Sequence, residues 1–241
     1  MSAAPLNTAM VFAAGLGTRM RPLTNTRPKP LIKVRGKALL DYVLDDFARG
    51  GITKAVVNVH YLADQIEAHV SARQAPQIVI SDERALLLDQ GGGIKKALPH
   101  LGSDAFFIAN TDAFWIEGEG HNLQRLRDMW NPDLMDALLL VASTSTSVGV
   151  DWSGDFHMDE TGRLTKRAET EAAAFVYSGV GIVKPDVFAQ DERDIFRLAP
   201  FFFEAAQKGR LFGVALDGLW LHVGTPDAVN EAEQVLAQLA L

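Results

Sequence analysis

The sequence predicts an α/β fold, Rossmann-like, with a mixed and mainly parallel sheet that carries helices on both faces. Short apolar runs alternate with segments of helical spacing through the first half of the chain, which is typical of a doubly wound sheet. The 241 residues are 48% hydrophobic, and no linker rich in Pro, Gly or Ser divides them. We therefore expect a single domain over residues 1–241.

The first half supplies the predicted parallel strands and the helices between them. Apolar spacing predicts helices over residues 38–49 and 62–73, and Gly50-Gly51 is typical of a helix end. A run of three glycines, Gly91 to Gly93, precedes a further segment at residues 94–98. Four short apolar runs are predicted to be strands: residues 9–14, 55–59, 77–80 and 105–109.

The second half is predicted to contain a larger share of antiparallel strands. Residues 155–159 and 163–165 have the pattern of a hairpin, and residues 174–183 that of a longer strand interrupted by glycines. After the strand at residues 137–142, we expect these segments to form a small β lid.

The chain is predicted to end in two extended segments and a capped helix. Residues 201–208 are expected to be helical, and residues 211–216 and 219–223 extended. Thr225 is expected to cap the final helix, with Pro226 at its first position. An apolar stripe of that helix is predicted to be core: Val229, Ala232, Val235, Leu236 and Leu239.

A glycine-rich loop after the first strand carries the strongest functional signal. Gly15 and Gly17 let the backbone turn and approach a ligand, and its N–H groups can bind phosphate oxygens. Residues 1–40 contain seven basic residues and no acidic one, whereas the whole chain carries −7 and the other 201 residues carry −14. Because the positive charge is local and the pI is about 5.3, we expect a small anionic ligand and no nucleic acid.

The residues that follow Gly17 exclude two common phosphate-binding motifs. Met20 stands where the dinucleotide fingerprint requires its third glycine, and no Gly-Lys-Ser/Thr ending of an ATPase P-loop follows. The chain has no cysteine, no basic and apolar leader and no apolar run of about 20 residues. These features favour a cytoplasmic protein without a membrane partner, as a monomer or small homo-oligomer.

The residues of the loop resemble the signature of a known family. Gly15-x-Gly17-Thr18-Arg19-Met20-x-Pro22-x-Thr24, followed by Pro28-Lys29-Pro30, is similar to the motif of the sugar-1-phosphate nucleotidylyltransferases. The resemblance extends from residue 9 to about residue 230. It implies a nucleotidyltransferase fold, with a nucleotide-binding half at residues 1–112 and a sugar-phosphate-binding half at residues 113–241. It also implies transfer of a nucleotidyl group from a nucleoside triphosphate to a sugar 1-phosphate, with release of pyrophosphate.

The same resemblance implies the roles of individual residues. Arg19 and Lys29 would be catalytic, Arg19 as a bidentate donor to the triphosphate and Lys29 as a charge near the α-phosphate. The nucleotide would also be bound by Ala13, Ala14, Gly15, Gly17, Thr18, Gln90, Gly91 and Gly92. The sugar phosphate would be bound by Asn110, Asp155, Glu169, Gly179 and Thr225.

The resemblance implies Mg²⁺ as the cofactor. Asp112, at the end of Asn110-Thr111-Asp112, matches a metal-binding carboxylate, although a strand-ending Asp is also commonly a turn residue. The segment from Trp220 to Pro226 is similar to the family's Trp-x-Asp-x-Gly-Thr-Pro, with His222 in place of the aspartate. His222 is therefore either adjacent to the metal or a hydrogen-bonding residue at the mouth of the site.

Within the family, Gly154-Asp155-Phe156 and Tyr177-Ser178-Gly179 resemble most the N-acetylmuramate 1-phosphate uridylyltransferases of peptidoglycan recycling. UTP is accordingly the favoured nucleotide. A mannose-1-phosphate guanylyltransferase, or a transferase for another hexose or heptose 1-phosphate, is the alternative enzyme. A non-catalytic sensor of nucleotide sugars, without the second metal carboxylate, is the alternative from a different functional class.

Overall fold

A computed structural model gives the fold of the chain and describes residues 6–239, so the predicted domain limits at residues 1 and 241 lie outside it. Seven α-helices are formed within the described range: α1 Leu39–Arg49, α2 Ala63–Val70, α3 Asp89–Leu101, α4 Asn122–Met129, α5 Asp186–Ala189, α6 Ala199–Gln207 and α7 Pro226–Gln238. The strands of the same range are β1 Thr8–Phe12, β2 Lys33–Val34, β3 Lys37–Ala38, β4 Lys54–Val59, β5 Gln77–Asp82, β6 Phe106–Asn110, β7 Ala113–Glu117, β8 Ala137–Ser143, β9 Phe156–Met158, β10 Leu164–Lys166, β11 Phe175–Val183, β12 Leu211–Ala215 and β13 Gly218–His222.

Nine of these strands form one mixed sheet with the order β10-β9-β11-β6-β1-β4-β5, in which β8 also pairs with β11 and with β12. The pairs of β1 with β4 and β6, of β4 with β5 and of β8 with β12 are parallel. The pairs of β11 with β6, β8 and β9 are antiparallel. The predicted fold class, a mixed and mainly parallel sheet, is confirmed.

Helices cover both faces of the sheet because alternate side chains of each strand point to opposite faces. In β1, Ala9 and Val11 join one apolar cluster, whereas Met10 and Phe12 join the other. Side chains of α1, α2 and α4 fill the first cluster, and side chains of α3, α5 and α6 fill the second. Each fully buried Leu or Phe contributes about 1.5–3 kcal/mol of transfer free energy, so both helical layers are held mainly by apolar burial.

The predicted elements of the second half are formed, with one difference in their arrangement. The hairpin of β9 and β10 pairs through Phe156 with β11, so the expected lid strands continue the edge of the main sheet. The strand β11 changes register between Tyr177 and Gly181, where its glycines lie. Thr225 caps α7 by accepting a hydrogen bond from the Ala228 N–H, as predicted.

Three predicted boundaries or positions are wrong. The helix α2 ends at Val70 and not at residue 73. The three glycines of α3 lie inside the helix, which begins at Asp89. Leu239 is 50% exposed and outside the core, because α7 ends before it at Gln238. Of the predicted stripe, Ala232 and Leu236 are buried.

The pairing of β7 with β13 in a two-stranded ribbon was not predicted from the sequence patterns, although residues 219–223 were expected to be extended. Its strands are antiparallel, with Trp115 opposite Trp220 and Ala113 opposite His222. It lies outside the main sheet and joins residues more than one hundred positions apart in the chain. Within residues 6–239, none of the helices has the length and apolar character needed to cross a membrane.

The Asp46 carboxyl group of α1 makes the free energy of unfolding depend on pH. Its side chain is 5% exposed, its Oδ1 accepts a hydrogen bond from Arg49, and its Oδ2 has no partner among the described residues. Burial raises the pKa of Asp46 to about 7. Between pH 4 and 7 the folded state therefore binds a proton that the unfolded state has lost, and the free energy of unfolding falls as the pH rises.

We predict that Asp46→Asn flattens this dependence. In the wild type the group should lower the free energy of unfolding by about 2–3 kcal/mol between pH 5 and pH 8. Urea unfolding at both pH values, followed by circular dichroism, measures the difference. Asp104→Asn, at an exposed position, is the control and should keep the wild-type difference. An unchanged difference in Asp46→Asn would show that the carboxyl group is ionised in the folded protein.

Candidate functional site

The site lies where parallel strands of the sheet end at their carboxyl edge, the usual ligand position in open α/β sheets. A cavity of about 440 Å³ opens there. It is lined by Phe12, Ala13, Ala14, Gly15, Gly17, Lys29, Pro30, Asn58, Glu83, Leu87, Asp89, Gln90, Asn110, Thr111, Asp112 and Ile195. Most of the nucleotide-binding residues predicted from the loop are thus brought together.

The loop after β1 is fixed by contacts that only glycine permits at its centre. Gly17 has φ +61°, and a Cβ atom there would approach the side chains of Thr24 and Lys29 to 3.0–3.1 Å. The Thr24 hydroxyl donates a hydrogen bond of 2.8 Å to the Gly17 carbonyl. Thr18 and Arg19 begin a short 3-10 turn, are exposed and do not line the cavity. The predicted Arg19 therefore does not line the cavity, although its positive charge acts on Asp112.

Lys29 and Asp112 form an ion pair in the floor of the cavity. Lys29 Nζ lies 3.0 Å from Asp112 Oδ2, and the two side chains are 13% and 27% exposed. Burial alone would raise the pKa of Asp112, but Lys29, His222 and Arg19 together hold that pKa below its usual value. The carboxylate is therefore ionised at neutral pH, with the Lys29 ammonium group as its partner.

The imidazole of His222 lies beside the same carboxylate. Its Nε2 is 3.9 Å from Asp112 Oδ2, and its Nδ1 is 3.2 Å from the Gly149 carbonyl oxygen. Because a carbonyl oxygen only accepts, the proton is on Nδ1, and Nε2 has a free lone pair in the neutral ring. The ring stacks on Trp220 and meets the edge of Trp152. Gly224 leaves room for the ring, since a Cβ atom there would overlap it.

A smaller cavity of about 170 Å³ adjoins the first and shares Asn110 and Asp112 with it. Its other lining residues are Ala113, Trp152, Tyr177, Ser178, Gly179, Trp220 and His222. The Tyr177 hydroxyl is buried without a hydrogen-bond partner among residues 6–239, and burial, together with Asp112, raises its pKa. The cavity thus combines aromatic walls with polar groups, as is usual for small polar organic ligands.

Asp155 supports this smaller cavity from behind. It accepts hydrogen bonds from Trp152 Nε1 at 3.2 Å and from the Tyr177 N–H at 2.9 Å. Burial raises its pKa. Asp155 does not line the cavity, so the predicted contact with sugar phosphate becomes a contact with the two aromatic walls.

Four other predicted residues lie away from both cavities. Glu169 is exposed in the turn that follows Arg167, and the Thr225 hydroxyl is used in the cap of α7. Gly91 and Gly92 are buried inside α3, where their N–H groups donate to the Phe196 carbonyl. Gln90 does line the larger cavity and donates a hydrogen bond of 2.8 Å to Asn110 Oδ1.

A buried polar pair was missed in the sequence. Asn58 Oδ1 accepts from the Ala13 N–H at 2.7 Å, and its Nδ2 donates to Glu83 Oε1 at 2.8 Å. Glu83 also accepts from the Leu88 N–H, and burial raises its pKa. The available signal was a polar Asn58 inside an otherwise apolar strand. The pair connects the phosphate loop to the segment before α3.

Residues 9–148 match the MobA-like NTP transferase domain, more than half of the chain. The chain belongs to the MobA-like NTP transferases. It is a nucleotidyltransferase, and the family predicted from the loop is confirmed.

Two relatives are similar over almost their whole length. An N-acetylmuramate alpha-1-phosphate uridylyltransferase of Caulobacter vibrioides is 48% identical, over 99% of this chain and 100% of its own. An N-acetylmuramate alpha-1-phosphate uridylyltransferase of Neisseria meningitidis is 34% identical, over 93% of this chain and 96% of its own. HddC from Yersinia pseudotuberculosis, solved with GMP-PN, shares the fold with a TM-score of 0.73 at 18% identity, over 95% of this chain and 99% of its own.

We predict that Lys29→Ala lowers the turnover of this transferase by roughly 10²-fold or more, because it removes a preorganised charge beside the reacting phosphates. The rate of pyrophosphate release from a nucleoside triphosphate and a sugar 1-phosphate measures the effect. Lys33→Ala removes an exposed lysine four residues away and is the control. Circular dichroism of both variants should match the wild type. Near-normal turnover of Lys29→Ala would contradict its catalytic position.

Proposed function

We propose that the chain transfers the uridylyl group of UTP to N-acetylmuramate 1-phosphate and releases pyrophosphate. The observation that carries this proposal is the 48% identity to the uridylyltransferase of Caulobacter vibrioides over nearly the whole length of both chains. The two adjoining cavities support it, because a transferase of this kind must hold two substrates side by side. The shared residues Asn110 and Asp112 then mark where the reacting phosphates meet.

The residues that line each cavity support the assignment of one substrate to each half of the chain. All residues of the larger cavity except Ile195 come from positions 12–112, which we assign to the nucleotide. Apart from the shared Asn110 and Asp112, all residues of the smaller cavity come from positions 113–222, which we assign to the sugar phosphate. The aromatic rings of Trp152, Tyr177 and Trp220 provide apolar faces for a sugar ring.

The chemistry needs positioning and charge rather than a nucleophile of the protein. An oxygen of the sugar phosphate forms a bond to the α-phosphorus of UTP, while the bond from that phosphorus to the bridging oxygen of pyrophosphate breaks. A phosphate monoester is already ionised at neutral pH, so no general base is required. Lys29 would stabilise the charge that accumulates on the transferred phosphoryl group, and Asn110 would orient the two phosphates.

The residues around Asp112 fit a Mg²⁺ that arrives with the nucleotide. Asp112 Oδ2 and His222 Nε2 are close enough to contact one cation. No group of three or more His, Cys, Asp or Glu side chains that could hold a metal ion occurs in the described part of the chain. Mg²⁺ is commonly bound by one or two carboxylates completed by substrate phosphates and water. Such an ion would neutralise phosphate charge during the transfer.

A substrate panel tests the proposed function. UTP and GTP are each combined with N-acetylmuramate 1-phosphate, glucose 1-phosphate and mannose 1-phosphate, and pyrophosphate release is measured. We expect kcat/KM for UTP with N-acetylmuramate 1-phosphate to exceed the other values by about 10²-fold or more, the discrimination that polar contacts in a site can supply. A preference for GTP with mannose 1-phosphate would support the guanylyltransferase alternative. Binding without turnover of any pair would support a sensor.

We predict that His222→Asp lowers the Mg²⁺ concentration for half-maximal activity roughly 3–10-fold, because it adds an oxygen ligand beside Asp112. Activity is titrated with Mg²⁺ at saturating substrates. His157→Asp, at the exposed position of strand β9, is the matched control and should leave the titration unchanged. If the imidazole instead donates to the sugar phosphate, the KM for that substrate should rise while the titration stays the same. If His222→Asp changes neither the half-maximal Mg²⁺ concentration nor the KM for the sugar phosphate, His222 contacts neither the metal nor that substrate.

A further inference from the structure

A segment of the second half of the chain crosses the start of α3. Residues 190–198, which we call the strap, connect the end of α5 to α6. The Gly91 and Gly92 N–H groups donate to the Phe196 carbonyl at 2.9 and 3.3 Å, and the Phe196 N–H donates to the Leu88 carbonyl at 3.3 Å. Lys95 Nζ donates to the Arg193 carbonyl at 2.9 Å. The strap therefore satisfies N–H groups that the first turn of a helix leaves unpaired.

The glycines of α3 are the positions at which the strap touches the helix. A Cβ atom on Gly91 would overlap the Phe196 ring, and a Cβ atom on Gly92 would overlap the Asp194 carbonyl oxygen. Neither glycine has a positive φ, so the close approach of the strap, and not the backbone conformation, requires them. The N–H groups of Gly91 and Gly92 are consequently occupied by protein.

The strap places one side chain in the nucleotide cavity. Ile195 lines that cavity and is 52% exposed, whereas its neighbour Phe196 anchors the strap and is 8% exposed. Leu87, Asp89 and Gln90, which lie just before and at the start of α3, also line this cavity. The phosphate loop and Lys29 supply the cationic and N–H groups, so the aliphatic side chains remain for the apolar part of the ligand.

We propose that Ile195 packs against a face of the nucleobase and that the strap completes the nucleotide site. This inference rests on the proposed binding of a nucleoside triphosphate in the larger cavity. A nucleobase has flat apolar faces and polar edges, and the polar residues Gln90 and Asp89 line the same cavity as Ile195. Ile195 would thus be a nucleotide-contacting residue contributed by the half of the chain that lines the smaller cavity.

Binding measurements without sugar phosphate isolate this contact from the reaction. Isothermal titration calorimetry in Mg²⁺ buffer compares UTP with inorganic tripolyphosphate, which has the phosphates but no base. Ile195→Ala removes apolar contact area, so we expect UTP to bind about 3–10-fold more weakly and tripolyphosphate to bind within about twofold of wild type. In turnover, the KM for UTP should rise while kcat and the KM for the sugar phosphate stay unchanged.

Leu134→Ala is the matched control. Leu134 is 53% exposed and does not line the nucleotide cavity, so the same loss of an aliphatic side chain should leave both affinities unchanged. Equal weakening of UTP and tripolyphosphate in Ile195→Ala, or no weakening of either, would overturn the inference. A wild-type protein that binds UTP but transfers it to no sugar phosphate would overturn only the proposed function. A wild type that does not bind UTP would overturn both.

Discussion

The ion pair of Lys29 and Asp112 is the contact on which the rest of the site depends. It joins the loop after β1 to the end of β6, two segments 83 residues apart, at a hydrogen-bond distance of 3.0 Å. Gly17 and Thr24 fold the loop against the Lys29 side chain, and the parallel pairing of β1 with β6 brings Asp112 to it. Removing either partner would leave the other charge partly buried and uncompensated, which generally costs more than the pair itself contributes. The loop therefore has a defined position before any phosphate arrives.

The ribbon of β7 and β13 determines the position of His222 beside Asp112. The ribbon of β7 and β13 sets Ala113 opposite His222, and the Val223 N–H donates to the Asp112 carbonyl at 2.7 Å. A second carboxylate at position 222 would stand beside an Asp112 whose charge Lys29 already balances. It would add a negative charge that only a bound cation could compensate. An imidazole at position 222 adds no negative charge beside Asp112.

Local patterns predicted those parts of the molecule that local interactions determine. The loop from Gly15 to Thr24, the capped start of α7 and the strands of the parallel sheet all have signals within a few residues, because turn chemistry, capping and period-2 burial are short-range. The ribbon, the pair of Asn58 with Glu83 and the strap depend on partners from 25 residues away, for Asn58 and Glu83, to 109 residues away, for Ala113 and His222. No spacing within one segment encodes such a partner. The glycines of α3 show the difficulty: the resemblance implied that Gly91 and Gly92 bind the nucleotide, whereas their N–H groups donate to the Phe196 carbonyl of the strap.

The segments that form the two cavities are connected by one continuous sheet. The strand β11 pairs with β6 on one side and β8 on the other, so the segments that carry the two cavities share a continuous sheet. Ile195 then reaches from the second half into the cavity of the first, and Asn110 and Asp112 of the first half border the cavity of the second. Each of the two cavities is thus completed by residues of the other half of the chain. Because the reaction is accelerated by holding two phosphates in line, a rigid sheet that fixes both sites relative to each other is a direct contribution to catalysis.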